Sequence, residues 1–500
     1  MGAASYLACI PILVVVYVTT AYLFRKLQKQ PPSPFLCFPI IGHIHLLLNP
    51  TFDIFTNLAK RYGPVYYLWF GSRPALIISS PSAAEECLTK NDIVFCNRPL
   101  GSLMGKYRGY DFTSLNFAPY SPHWKNLRKI ATVEILSPHR LQSLAAIRAD
   151  ELRLLIKRLA ASSQVVEMKP QIFETNLKMM TKMIFGDSYN GLEKGRQIRE
   201  FVIESIALAS VPCIGDDIPC LRWLDRSAEK RFKEYKEKRD TMMTELLEEH
   251  RTKRKDMEIH NVDTKVRPVI QSLLELQESD PDYYQDQVLH SLVADLFIGS
   301  SETTTNTMEW ALSLLLNHPE VLKKVQTEID NHVGYDRFVD ETDLNHLPYI
   351  GCILKETLRM YPPLPFMFPH ESSKDCVVGG YRILRGTYLL INIYAIQKDP
   401  KIWDNPESFR PERFEGVEGY KVGYKMMPFG SGRRSCPGES LAFRVMGMML
   451  ATLIQCLDWD RVDEKFVDMS LLDSFDLKKA EPLSARIQPR QVMINLLKKL

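Results

Sequence analysis

The segment Pro428-Phe429-Gly430-Ser431-Gly432-Arg433-Arg434-Ser435-Cys436-Pro437-Gly438 constrains this chain more than any other. Three glycines and two prolines make it a rigid, turn-rich loop. Cys436 stands near its end, just ahead of the apolar run 441–457, which reads as a helix. A thiol at a helix N-terminus, with Arg434 two residues away, is biased to ionise. A lone thiolate serves either as a nucleophile or as a metal ligand. A nucleophile needs a general base, and no His or acid is placed locally for one. A single thiolate in a glycine-rich loop suits axial ligation of a haem iron, because backbone N–H groups there can tune the sulfur.

Composition narrows the class. Of 500 residues, 25% are charged and 45% hydrophobic, which excludes a largely disordered or collagen-like chain. A formal net charge of +3 is too small to bind nucleic acid through a global basic field. The ten cysteines include no Cys-x-x-Cys pair, so no zinc ribbon or dithiol is indicated, and they are too sparse for a disulfide scaffold.

The N-terminus reads as a membrane anchor. Residues 1–24 contain no charge, and 7–21 are dominated by Ile, Leu, Val, Ala and Tyr. About 20 such residues in a helix span a ~30 Å hydrocarbon core. Arg25, Lys26 and Lys29 follow at once, which keeps that flank and the remaining chain cytosolic. Residues 25–42 are a basic, proline-rich hinge with Pro31-Pro32-Ser33-Pro34 and Pro39, a stiff extended connector. Residues 43–500 form one large domain without internal repeats.

Within that domain the pattern is mainly α with small β-sheets. The run 75–78 reads as a strand, the helical period dominates from about 140 to 360, and 375–395 returns to short strands with turns at Gly379-Gly380 and Gly386. The charged stretch 230–255 is a solvated helical face. Residues 284–317 read as one helix crossing the body, stopped by Pro319. Its middle, Gly299-Ser300-Ser301-Glu302-Thr303-Thr304, is a poor choice for a buried helix. Hydroxyls there can bond back to the i−4 carbonyl, and an acid among apolar turns needs a compensating reason.

The pattern Phe429-x-x-Gly432-x-Arg434-x-Cys436-x-Gly438 resembles the haem-binding signature of the cytochrome P450 family, and the likeness runs from anchor to C-terminus. It implies the P450 fold, with haem b between the long central helix and the thiolate loop. Cys436 would be the axial ligand to the metal, with Phe429 and Gly438 beside it. Arg434, Trp124, Arg128 and His370 would hold the haem propionates. Glu356, Arg359 and Arg413 would form a structural network under the haem. Glu302 and Thr303 resemble the family's acid–alcohol pair, which delivers protons to dioxygen. Ser300 stands where the family usually has glycine.

The resemblance further implies a monooxygenase of the endoplasmic reticulum membrane. It would take electrons from NADPH through the NADPH–cytochrome P450 reductase, with Lys125 and Lys129 receiving that partner. Substrate-facing segments carried over from the family include Phe112, Phe117, Phe297, Phe366, Phe368 and Phe475, a lining suited to an apolar or aromatic molecule. The nearest resemblance is to plant microsomal members acting on isoflavonoids, lignans and related metabolites. Hydroxylation is the first reading. Methylenedioxy bridge formation by the same haem is the alternative, and a haem-binding protein without turnover is the reading from another class.

Overall fold

Helical periodicity through the middle of the chain becomes a set of helices packed on one apolar core. The computed structural model describes residues 2–47, 51–162, 165–186, 192–259, 267–417, 422–472 and 476–500, and for 2–11, 47, 51, 192 and 256–259 the backbone alone. The central helix, Asp286–Asn317, runs through that core with Leu289, Leu292, Phe297, Met308 and Leu312 buried. Met168–Phe185, Pro348–Met360 and Glu439–Cys456 pack against it. The thiolate loop therefore feeds directly into a helix that touches the central one. The expected run 441–457 begins two residues earlier, at Glu439, and the charged stretch 230–255 lies within Arg226–Ile259.

The sheets are small. Val65–Phe70 pairs antiparallel with Arg73–Ile78, which pairs in parallel with Tyr388–Ile391. His370–Glu371 adds an antiparallel edge, His370 opposite Leu389. A second sheet joins Val165–Glu167, Ser484–Pro489 and Leu457–Asp460, and Cys376–Val378 pairs with Tyr381–Ile383. The strand pattern expected up to 395 ends early. Asn392 caps a short helix, Ile393–Gln397, its side chain accepting from Ala395 N at 2.9 Å.

Helix Gly2–Leu27 stands where the anchor is expected. Among the described residues no helix is long and apolar enough to cross a membrane. The anchor reading draws on residues up to 11, whose side chains lie outside the description. The hinge differs from the free spacer that its prolines suggest. Pro32 O accepts from Tyr67 N (2.8 Å), and His43 Nδ1 accepts from Trp69 N (2.9 Å). Gly42, at φ +61°, lies so close to Trp69 O that a Cβ there would sit 2.3 Å from it. The unpaired edge of Val65–Phe70 offers donors and acceptors, and the connector takes them.

Candidate active site

Three backbone bonds shape the thiolate loop: Gly430 N to Met427 O (2.9 Å), Ser435 N to Gly432 O (3.2 Å) and Cys436 N to Phe429 O (2.8 Å). Gly430 and Gly432 both take positive φ, 68° and 74°. At Gly432 the positive φ strains any side chain, and a Cβ would also crowd Leu88 O at 3.2 Å. Phe429 packs on Phe443 of the following helix, 5.4 Å between ring centroids.

Cys436 remains solvent-accessible although protein atoms surround it, so its sulfur opens onto interior space. Burial pushes the thiol up. The Gly438 N–H, Arg128 and the Glu439 N–H act against that rise. The expected bias towards thiolate by Arg434 is therefore corrected: desolvation outweighs the helix end, and the cation at the sulfur is Arg128.

The Arg434 side chain turns to the backbone, donating to Cys96 O and Ala118 O at 2.5 Å each, and lies 4.4 Å from the Trp124 ring centroid. Trp124 spends its own N–H on Leu115 O (3.1 Å), so within the cluster it acts as a platform under Arg434. Arg128 donates to Ser435 O at 2.5 Å, one residue before the thiol. His370 is buried, with Nδ1–H donated to Phe95 O at 2.7 Å. Burial first, then Arg98 and Arg434, hold it well below the ordinary histidine range, hence neutral.

Sequence reasoning missed Arg98. Only 7% exposed, it donates to Phe368 O and Pro369 O at 2.7 Å each and to Asn116 O at 3.0 Å. Burial, with Arg434 nearby, lowers its pKa well below the arginine range. Asn97-Arg98-Pro99 carries no periodic or spacing signal, and the Arg98 partners come from two distant segments. Arg98, Arg128 and Arg434 thus share one neighbourhood, and among the described residues none has a carboxylate within ion-pair distance. A buried cation such as Arg98, with two half-buried ones beside it and no counter-charge, is costly. The three fit a bound anionic group, such as the carboxylates of a haem.

Under the loop, Arg359 pairs with Glu356 at 2.7 and 2.9 Å, both wholly buried, and Arg413 reaches Glu356 at 3.2 Å. Arg359 also donates to Gln397 O (3.0 Å), and the Gln397 side chain accepts from Met427 N (3.0 Å). The ionic network is thereby tied to the first turn of the thiolate loop.

In the central helix every hydroxyl from 300 to 303 bonds back by four residues. Ser300 reaches Leu296 O (2.7 Å), Ser301 Phe297 O (2.6 Å) and Thr303 Gly299 O (2.7 Å). Asn176 Nδ2 donates to Ser300 O at 2.7 Å. Gly299 borders open space, with no atom within 4 Å of where a Cβ would stand. Ser300 does not fill that space, because its hydroxyl folds onto its own helix. Thr303 has its proton committed and its lone pairs available.

Glu302 points elsewhere. Its carboxylate lies 3.7 Å from Lys169 and 3.5 Å from Lys478. Adjacent residues on a helix diverge by about 100°, so the structure does not bring the acid and the alcohol together on one face.

Of the aromatic lining, Phe117 meets Phe368 edge-on at 5.5 Å beside Arg98. Phe297 is fully buried against Phe185, and Phe366 packs on Phe55 beside the sheet, so both serve the core. Phe475 lies outside the described residues.

Residues 31–481 match the family model for cytochrome P450. The chain is 40% identical to isoflavone 2'-hydroxylase of Glycyrrhiza echinata, covering 97% of this chain and 98% of that one. It is 39% identical to (+)-piperitol/(+)-sesamin synthase of Sesamum radiatum, covering 95% and 93%. A zebra fish cytochrome P450 structure with progesterone superposes with a TM-score of 0.75 at 26% identity, covering 87% of this chain and 99% of the other.

Proposed function

The chain belongs to the cytochrome P450 family, and on that premise we propose that it is a membrane-bound monooxygenase that inserts one oxygen atom of O2 into a C–H bond of an aromatic plant specialised metabolite. One observation carries the reading: the Cys436 thiol opens onto interior space beside a buried Arg98 and half-buried Arg128 and Arg434, none with a carboxylate partner among the described residues. Haem b, when bound, supplies dioxygen activation and oxygen-atom transfer. The Cys436 sulfur would hold its iron, and Arg98, Arg128 and Arg434 would hold its carboxylates.

The remaining work falls to this chain's own groups. Thr303 Oγ, its proton given to Gly299 O, accepts a hydrogen bond and holds a proton-bearing group beside the space at Gly299. Glu302 exchanges protons with solvent through Lys169 and Lys478, and to serve Thr303 it must leave that pair of lysines. Phe117 and Phe368 orient an aromatic ring and exclude water. Electrons come from NADPH through the separate reductase. Lys125 and Lys129 stand exposed on the helix that carries Arg128, suited to an acidic partner face.

A second observation supports the membrane. Besides the apolar helix Gly2–Leu27, Phe35, Leu36, Ile40, Ile214, Trp223 and Leu224 are exposed. The close approach of Gly71 to Asp217, with Gly42 bridged to Phe70, sets these two segments side by side. Such a patch enters a bilayer interface. It fits single-pass attachment to the endoplasmic reticulum with the catalytic body cytosolic.

Carbon monoxide added to the reduced protein tests the reading: a red-shifted Soret band of thiolate-ligated haem is expected, and its absence overturns it. Incubation with reductase, NADPH and a phenol panel, followed by mass analysis, then separates hydroxylation (one oxygen gained) from methylenedioxy closure (two hydrogens lost). The sesame relative keeps the second outcome open.

A further inference from the structure

A group of buried polar atoms between the connector 101–118 and the central helix has no part in the haem site. Arg108 closes the short turn Met104–Arg108. Its Nε is buried without a hydrogen-bond partner, and its Nη1 reaches the Met104 sulfur, a weak acceptor, at 3.4 Å. Just beyond, Tyr110, Asp111 and Phe112 take φ of 52°, 55° and 60° in succession. Residues with side chains enter that region singly as a rule, so three in a row is an expense that function can justify. The result is an inward Tyr110, 5% exposed, its hydroxyl buried and unpartnered and its ring 3.5 Å from the Arg239 guanidinium.

The central helix contributes Asp295, whose carboxylate accepts from Asn116 N (3.2 Å) and Asn116 Nδ2 (2.9 Å). It lies eight residues before Thr303, about 12 Å along the axis, a distance that a two- or three-ring aromatic bridges. Burial raises its pKa to about 6, Arg108 opposing, so the two groups feel one another. Buried donors left open in this way are completed by a ligand or by ordered water.

We propose that Arg108, Tyr110 and Asp295 form the polar end of the substrate pocket and select an aromatic molecule that carries an acceptor oxygen beside an O–H group, as in a phenolic ketone; this rests on the haem-thiolate reading above. The acceptor oxygen takes hydrogen bonds from Arg108 and Tyr110, and the ligand O–H donates to Asp295. An apolar pocket with a few convergent polar groups sets orientation in just this manner.

Equilibrium dialysis of the haem-loaded full-length protein with 5-hydroxyflavone and with 2-phenylnaphthalene tests it. The hydroxyketone should bind at least tenfold more tightly than the hydrocarbon. Arg108→Met should abolish that preference and leave hydrocarbon binding intact, Arg108→Lys should restore part of it, and Tyr110→Phe should reduce it about threefold. Equal affinity of the unaltered protein for both probes, as water-filled donors would give, overturns the proposal. So does equal weakening of both probes by Arg108→Met. Should that variant fail to fold, the Tyr110→Phe ratio decides alone. Loss of the carbon monoxide band in the unaltered protein would remove the haem reading instead, while the dialysis ratio still judges the subsite.

Discussion

Arg98 and Thr303 show how single side chains divide the work at this site. Arg98 spends three donor contacts on backbone carbonyls of two distant segments and still presents a buried positive charge. Hydrogen bonds to charged groups contribute about 1.5–3 kcal/mol, so Arg98→Gln should weaken haem retention roughly ten- to a hundredfold. The ratio of Soret to protein absorbance after dialysis against a haem scavenger measures it; an unchanged ratio would take Arg98 out of the cluster. For Thr303, the committed proton makes the lone pairs the useful feature. Thr303→Ser keeps them and should keep coupling, whereas Thr303→Ala should divert most NADPH-derived electrons to peroxide. Product and peroxide quantified per NADPH decide this, and equal ratios in both variants would exclude the hydroxyl. Cys436 and Arg434 stood out in sequence through the spacing of one loop, and His370 only through a family resemblance. Arg98 did not, because what makes it functional is convergence in space on Arg434 and His370. For Glu302 and Thr303 the sequence showed adjacency but not direction: the Glu302 carboxylate lies by Lys169 and Lys478, and the Thr303 hydroxyl bonds to Gly299 O.

Elements show a similar division. The long central helix and the helix after Cys436 were readable from apolar periodicity and from Pro319, with ends displaced by about two residues. The proline-rich hinge was readable as extended, but not as docked on the sheet edge, since proline content says nothing about a partner. Gln397 was invisible in sequence. Fully buried, it receives Met427 N and donates to Leu358 O and Arg359 O at 2.9 Å each, joining the Glu356–Arg359 helix to the thiolate loop. Each buried group that loses its partner costs about 1–3 kcal/mol. Gln397→Leu should therefore cost roughly 3–5 kcal/mol of stability and release haem at a lower urea concentration than the global unfolding midpoint. A midpoint within experimental error of the unaltered protein would show that the loop holds its shape alone.

At the scale of the molecule, burial sets the pH response. Asp216, which accepts from Leu103 N at 3.1 Å and lies 3.8 Å from Arg222, and Asp295, beside Arg108 and Asn116, are both raised to about 6, chiefly by desolvation. Between about pH 4 and 6 the folded chain holds protons that the unfolded chain has already released. Folding takes up protons in that window, so this contribution to stability falls as pH rises through it and is level above. Asp216→Asn should flatten part of that slope in melting temperatures recorded from pH 4 to 8; an identical slope would place the proton uptake elsewhere. The sequence by itself determined the fold class and the family and singled out Cys436, because periodicity, turn residues and the spacing around that cysteine act over a few turns of chain. Only the tertiary structure decided which cations surround that sulfur, where Glu302 points and which polar atoms are left open near Arg108. Those are properties of desolvation and three-dimensional convergence, and they arise when segments hundreds of residues apart exclude water together.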